Sequence, residues 1–141
     1  MKLIRVIFVF CLLTVSSLEA LADEQIASDN PKKITMVMHE YRFEPAQIAL
    51  KAGEEVELTL INDGKVMHEF ITEVLQTLSV AVVVHGIVTE TLGVAELEIP
   101  PGAQAVLRFT PESPGEFLIA CRARSPKDHF KEGMAARLLI R

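Results

Sequence analysis

The chain has 141 residues, is 50% hydrophobic, carries a formal net charge of −5 and contains two cysteines. That length suits one compact domain with a sizeable core. The acidic balance excludes non-specific nucleic-acid binding, which needs a basic face.

Taken in order, the chain opens with Lys2 and Arg5, then an apolar run over Ile7 to Val15, then Ala20-Leu21-Ala22. A positive start, a short apolar stretch and a small-residue cleavage site predict a secretory signal peptide over residues 1–22, cut before Asp23. As a membrane anchor the run is too short to span a bilayer comfortably. Cys11 follows bulky Phe10, whereas lipidation signals carry small residues there. Loss of Lys2, Arg5 and Glu19 leaves 12 basic against 18 acidic residues, a charge of −6, on a 119-residue mature chain. It also leaves Cys121 as the only cysteine, so no internal disulfide is expected. A lone thiol in an oxidising compartment is oxidised unless it is buried or bound.

Residues 23–32 are polar, include Pro31, and read as a flexible leader to a domain at 33–141. Short strands follow: Lys33 to Met38, Gln47 to Leu50, Glu55 to Leu60, Met67 to Thr72, Ala95 to Ile99, Gln104 to Thr110, Glu116 to Cys121 and Ala135 to Ile140. Glu55 to Leu60 alternates polar and apolar, the mark of a strand with one buried face. Asn62-Asp63-Gly64-Lys65, Pro100-Pro101-Gly102 and Pro111 to Gly115 supply the turns. Seven to eight short strands between Gly/Pro turns predict an all-β fold, a two-layer β-sandwich. Residues 73–93 are long for a connection in such a fold. Their Val-rich centre favours a strand and their length allows a helix. They are expected to pack as an insertion against the sandwich edge, or else to form an apolar docking or dimer surface.

The carboxy-terminal stretch ACRARSPKDHFKEGM brings together Cys121, His129 and Met134. Thiolate, imidazole and thioether, joined by a second imidazole, make a trigonal His₂Cys site with a weak axial Met. His39, His68 and His85 are the candidates for that imidazole. His68 begins a strand after a loop that a sandwich can place beside Cys121. His39 and His85 read as structural or surface histidines. Zinc would call for four strong ligands and Met is a poor one, so copper suits the set better.

At these residues the sequence resembles the cupredoxins. YRFEPAQIALKAGEEVELTLIN is similar to the amino-terminal half of that family, with Phe43, Pro45, Ile48, Lys51, Gly53, Val56 and Asn62 in matching places. NDGKVMHEF is similar to the loop carrying the first histidine ligand, and SPGEFLIAC…H…GM to the carboxy-terminal ligand loop. The resemblance implies a Greek-key sandwich and one copper ion held by His68, Cys121, His129 and Met134. It implies that Asn62 ties the two ligand loops together, and that His129 presents an edge to solvent beside Met67 and Phe130. Seven residues separate Cys121 from His129, more than in small cupredoxins and closer to copper nitrite reductases. The 73–93 insertion is similar to the flap of azurin-like members.

The function implied is that of an exported, periplasmic one-electron carrier rather than an enzyme, serving protein redox partners such as a cytochrome, copper oxidase or copper reductase. A copper chaperone or resistance protein is the alternative; such proteins often use Met- and His-rich stretches, whereas the methionines here are scattered. Nitrite reduction needs a second copper and a second domain of this kind. A metal-free binding module would have no use for all four ligand types. No stable membrane insertion is expected after cleavage. Arg122, Arg124, Lys127 and Lys131 are expected either to form a basic rim that steers an acidic partner or to be merely solvated charges.

Overall fold

The computed structural model describes residues 30–141. The expected signal peptide at 1–22 and residues 23–29 of the expected leader lie outside the described residues. The first strand opens at Lys32, one residue before the expected Lys33.

Eleven strands and one 3₁₀ turn make up the regular structure among the described residues. They are β1 (Lys32–His39), β2 (Arg42–Glu44), β3 (Gln47–Leu50), β4 (Val56–Asn62), β5 (His68–Phe70), the turn Glu73–Gln76, β6 (Ser79–Val84), β7 (Ile87–Leu92), β8 (Leu97–Ile99), β9 (Gln104–Phe109), β10 (Gly115–Ala120) and β11 (Ala135–Ile140). Six of them form one sheet in the order β2-β1-β4-β9-β6-β7, and β10-β11-β3 form another. The pair β5-β8 joins the second layer through a bridge between Ile71 and Ala120. β1 runs parallel to β4 and β3 parallel to β11; the other pairings are antiparallel. The result is a two-layer β-sandwich, the architecture the strand pattern predicts.

The core follows from the period of two along each strand. In VELTLIN, Val56, Leu58, Leu60 and Asn62 are buried, while the residues between them are partly exposed. Met36 and Met38 of β1, and Leu107 and Phe109 of β9, complete that sheet's inner face. Ile48, Leu50, Phe70, Ile119, Leu138 and Ile140 belong to the same hydrophobic cluster from the other layer. Phe43 meets Phe70 edge-on at 6.4 Å between ring centroids.

The strand count exceeds the expected seven to eight for two reasons. The three-residue β2 is too short to show a period of its own. The insertion at 73–93 resolves into the 3₁₀ turn and a β6–β7 hairpin. That hairpin joins the sandwich edge by strand pairing: β6 pairs with β9, so β6 and β7 extend that sheet to six strands. Its two-residue tip, His85-Gly86, has positive φ at both positions, the geometry that matches the twist of the flanking strands. β7 is left as an edge strand with Ile87, Val88 and Leu92 exposed.

Candidate metal centre

Strand parity carries the first histidine inward. Asn62 ends β4 on its buried face, a short loop follows, and His68 opens β5 with its side chain buried beside that of Phe70. The loop is held by Asn62. Its amide nitrogen donates to the carbonyls of Val66 at 2.8 Å and Ile99 at 2.7 Å, and its oxygen accepts from the Gly64 N–H at 2.9 Å. These bonds brace the loop internally and against β8. They do not reach the 121–134 loop, so the tie between the ligand loops expected of Asn62 is made elsewhere. Glu69 makes it: its N–H donates to Cys121 Sγ at 3.2 Å, and its carboxylate accepts from the Arg122 N–H at 3.0 Å.

Cys121 directly follows β10, and residues 121–134 fold back on themselves. The Cys121 N–H bonds the Met134 carbonyl at 3.2 Å, the Met134 N–H bonds the His129 carbonyl at 2.9 Å, and the His129 N–H bonds the Ala123 carbonyl at 2.9 Å. The long Cys–His spacing is thereby taken up in a closed loop. Gly133, at φ 103, sits where a side chain would be strained.

The fold brings His68, Cys121 and His129 together, all three buried. The two Nδ1 atoms are 3.2 Å apart, and Cys121 Sγ stands 3.2 Å from His129 Nδ1 and 4.0 Å from His68 Nδ1. A point equidistant from the three atoms lies about 2.05 Å from each, where metal–imidazole bonds run about 2.0–2.1 Å and metal–thiolate bonds about 2.3 Å. The His129 Nε2–H faces the Ser125 carbonyl at 3.2 Å, which leaves the Nδ1 lone pair for the cluster. Two imidazoles and a thiol converging on one point fit a single type 1 copper centre.

Burial sets the electrostatics. It pushes the Cys121 thiol above its ordinary value, only partly offset by backbone N–H groups of Glu69 and Ala123. Burial also pulls the His68 imidazolium down, as does the neighbouring His129, while Glu40 opposes both. Without a cation the site therefore favours neutral thiol and neutral imidazole. A bound cation reverses that preference for the thiol.

Met134 is buried at the end of the loop, anchored by the two backbone bonds described above. His39 and His85 lie outside the cluster. His39 pairs with Glu44 at 3.3 Å and Asp63 at 3.5 Å, and His85 sits exposed at the hairpin tip. Met67 and Phe130 are exposed, as a contact patch requires, but His129 is not. Tyr41 lies edge-on against its ring at 5.2 Å, and Lys127 Nζ stands 5.6 Å from the Tyr41 centroid. The solvent-facing imidazole edge expected at His129 is thus covered by a residue from the β1–β2 turn. The basic rim is also partly neutralised: Lys127 pairs with Glu132 at 3.6 Å and Lys131 with Asp128 at 3.5 Å. Glu40, Tyr41 and Glu69 are the neighbours that sequence reasoning missed. Strand alternation points Glu69 away from the core, and nothing in the local pattern of the β1–β2 turn announces a contact with residues far along the chain.

The profile of the Cupredoxin-like domain family matches residues 5–131. No curated protein sequence matches the chain. Among solved structures, a dithionite-reduced auracyanin from Roseiflexus castenholzii aligns with a TM-score of 0.54 at 15% identity, over 78% of this chain and 97% of that one. A copper nitrite reductase from Nitrosomonas europaea aligns with a TM-score of 0.62 at 14% identity, over 84% of this chain and 52% of that one. A multicopper oxidase from Campylobacter jejuni aligns at 0.58 and 16%, over 80% of this chain and 31% of that one. The chain thus spans less than half of the multicopper oxidases it resembles. At these identities the likeness is one of fold.

Proposed function

The chain belongs to the cupredoxin-like domain family, and we propose that it is an exported one-electron carrier whose single copper would be held by His68, Cys121, His129 and Met134. The observation that carries this reading is the convergence of two Nδ1 atoms and one Sγ on a common point inside the protein.

Bound copper would supply a Cu(I)/Cu(II) couple at that point. The protein's part is to keep the donors in one geometry through both states. His68 is held by β5 and its braced loop, Cys121 by the end of β10, and His129 by backbone and ring hydrogen bonds within its loop. All four side chains are buried, which excludes water and limits rearrangement. The Glu69 N–H bond to Cys121 Sγ withdraws charge from the sulfur and tunes the couple. Full burial of the ligands favours a resident ion over one handed on, hence a carrier over a chaperone. The dithionite-reduced auracyanin, covered over 97% of its length, supports redox chemistry on this fold. Protein redox partners, a cytochrome or a copper oxidase or reductase, would dock at Met67 and Phe130.

The test is addition of Cu(II) to the purified protein. An intense blue or green thiolate-to-copper band is expected, absent in Cys121→Ser, with reversible reduction and no loss of metal. A colourless complex would overturn the copper reading, and rapid release of Cu(I) to a mild chelator would overturn the carrier.

A further inference from the structure

His68 Nε2 is buried and has no hydrogen-bond partner. A neutral imidazole that offers Nδ1 to the cluster carries its proton on Nε2, and a buried donor left unmade costs about 1–3 kcal/mol. Something in this fold must answer it, directly or through one water. The atoms around Gly64 identify the neighbour. A methyl group there would stand 2.8 Å from His68 Nε2 and 2.7 Å from Glu40 Oε1. The two groups face each other across a position where only glycine leaves them room. The same Glu40 oxygen accepts the Lys65 backbone N–H, so the carboxylate is anchored beside the imidazole.

We infer that Glu40 is the outer partner of His68: a carboxylate that accepts the Nε2–H hydrogen bond, directly or through one water, and sets the orientation and basicity of the ligand imidazole. The inference rests on the copper reading above. Three features of the β1–β2 turn support it. His39 is tied to Asp63, and the Asp63 N–H to the Met38 carbonyl at 3.0 Å, so the turn is fastened to the loop that precedes His68. Tyr41, next along, holds φ 63, a left-handed conformation that a bulky residue rarely adopts. In that conformation it lays its ring against His129. One four-residue turn therefore addresses both imidazoles, Glu40 through charge and Tyr41 through shape. Glu40 is a positioning residue, since it faces the ligand imidazole and not the metal. Carboxylate partners of ligating histidines raise ligand basicity, and losing one typically costs about 10–100-fold in metal affinity.

The experiment compares wild type, Glu40→Gln, Glu40→Ala and Glu44→Gln. Glu44 is an exposed carboxylate of the same hairpin that pairs with His39, and it controls for charge alone. With copper bound, Glu40→Gln should favour Cu(I), because a negative charge near the cupric state is gone. A tenfold change in the Cu(II)/Cu(I) preference reads as a rise of about 59 mV for a one-electron couple. Glu40→Ala should shift at least as far and weaken Cu(II) binding in chelator competition, while Glu44→Gln should stay near wild type. In the metal-free protein, nitrogen-15 chemical shifts of His68 should show the Nε2–H tautomer in wild type and tautomer exchange in Glu40→Ala. If wild type binds copper with its intense band but the Glu40 variants match Glu44→Gln in potential and in the His68 shifts, the inference is overturned. If wild type shows no such band, the copper reading fails instead, and the metal-free shifts still decide whether Glu40 holds His68.

Discussion

Asn62 offers the sharpest test of how the first ligand is placed. Its side chain makes three hydrogen bonds, to Val66, Ile99 and Gly64, and is fully buried. Asn62→Ala removes all three. A net hydrogen bond contributes about 0.5–1.5 kcal/mol, and a buried group left without a partner costs about 1–3 kcal/mol. The bond to the Ile99 carbonyl is the buried one of the set, so the loss should be about 3 kcal/mol. That is a large share of a domain stability of about 5–15 kcal/mol and should lower the Tm by roughly 10 °C. Asn62→Asp should cost at least as much near neutral pH. The new carboxylate still accepts from Gly64 but faces two carbonyls with no proton to offer. Its penalty should shrink as the pH falls and the carboxyl regains a donor. Urea titration followed by circular dichroism measures both variants. An Asn62→Ala loss below about 0.5 kcal/mol, within the range of an ordinary surface change, would refute the account of how the loop before His68 is held.

Three further outcomes are expected. Gly64→Ala should destabilise the protein by about 1–3 kcal/mol, because its methyl meets Glu40, His68 and Asn62 at once; thermal unfolding checks this. Tyr41→Ala should open His129 to solvent, so water-proton relaxation by the Cu(II) protein should rise, while Tyr41→Phe, which keeps the ring, should leave it unchanged. The metal-free protein should lose stability as the pH falls below about 6.5. The folded His68 has a lowered pKa, so in that window the unfolded chain takes up a proton that the folded one refuses, and unfolding is favoured until the folded pKa is reached. His68→Leu should flatten this slope in urea titrations at a series of pH values; an unchanged slope would assign the dependence elsewhere.

Much of the fold is legible locally, because strand alternation is a local property. VELTLIN alone states which face of β4 is buried and delivers Asn62 to the inner end of it. The grouping of Cys121, His129 and Met134 is legible too, since a single loop carries them and their donor types belong together. Chain separation hides the rest. The hairpin at 79–92 is ambiguous because its Val-rich centre favours a strand while the length of the segment allows a helix, and only pairing with β9 decides it. The covering of His129 by Tyr41 and the closeness of Glu40 to His68 depend on turns meeting across the top of the sandwich. Glu69 shows why such contacts escape a linear reading: alternation sends its side chain outward, and only the bridge between Ile71 and Ala120 sets its backbone N–H beside the Cys121 sulfur. The kinds of donor and the strands that carry them are written in local residue order. Which groups stand behind those donors depends on the fold, because Glu69 lies 52 residues from Cys121 and the β1–β2 turn lies far from His129 along the chain, separations that no single strand or loop pattern records.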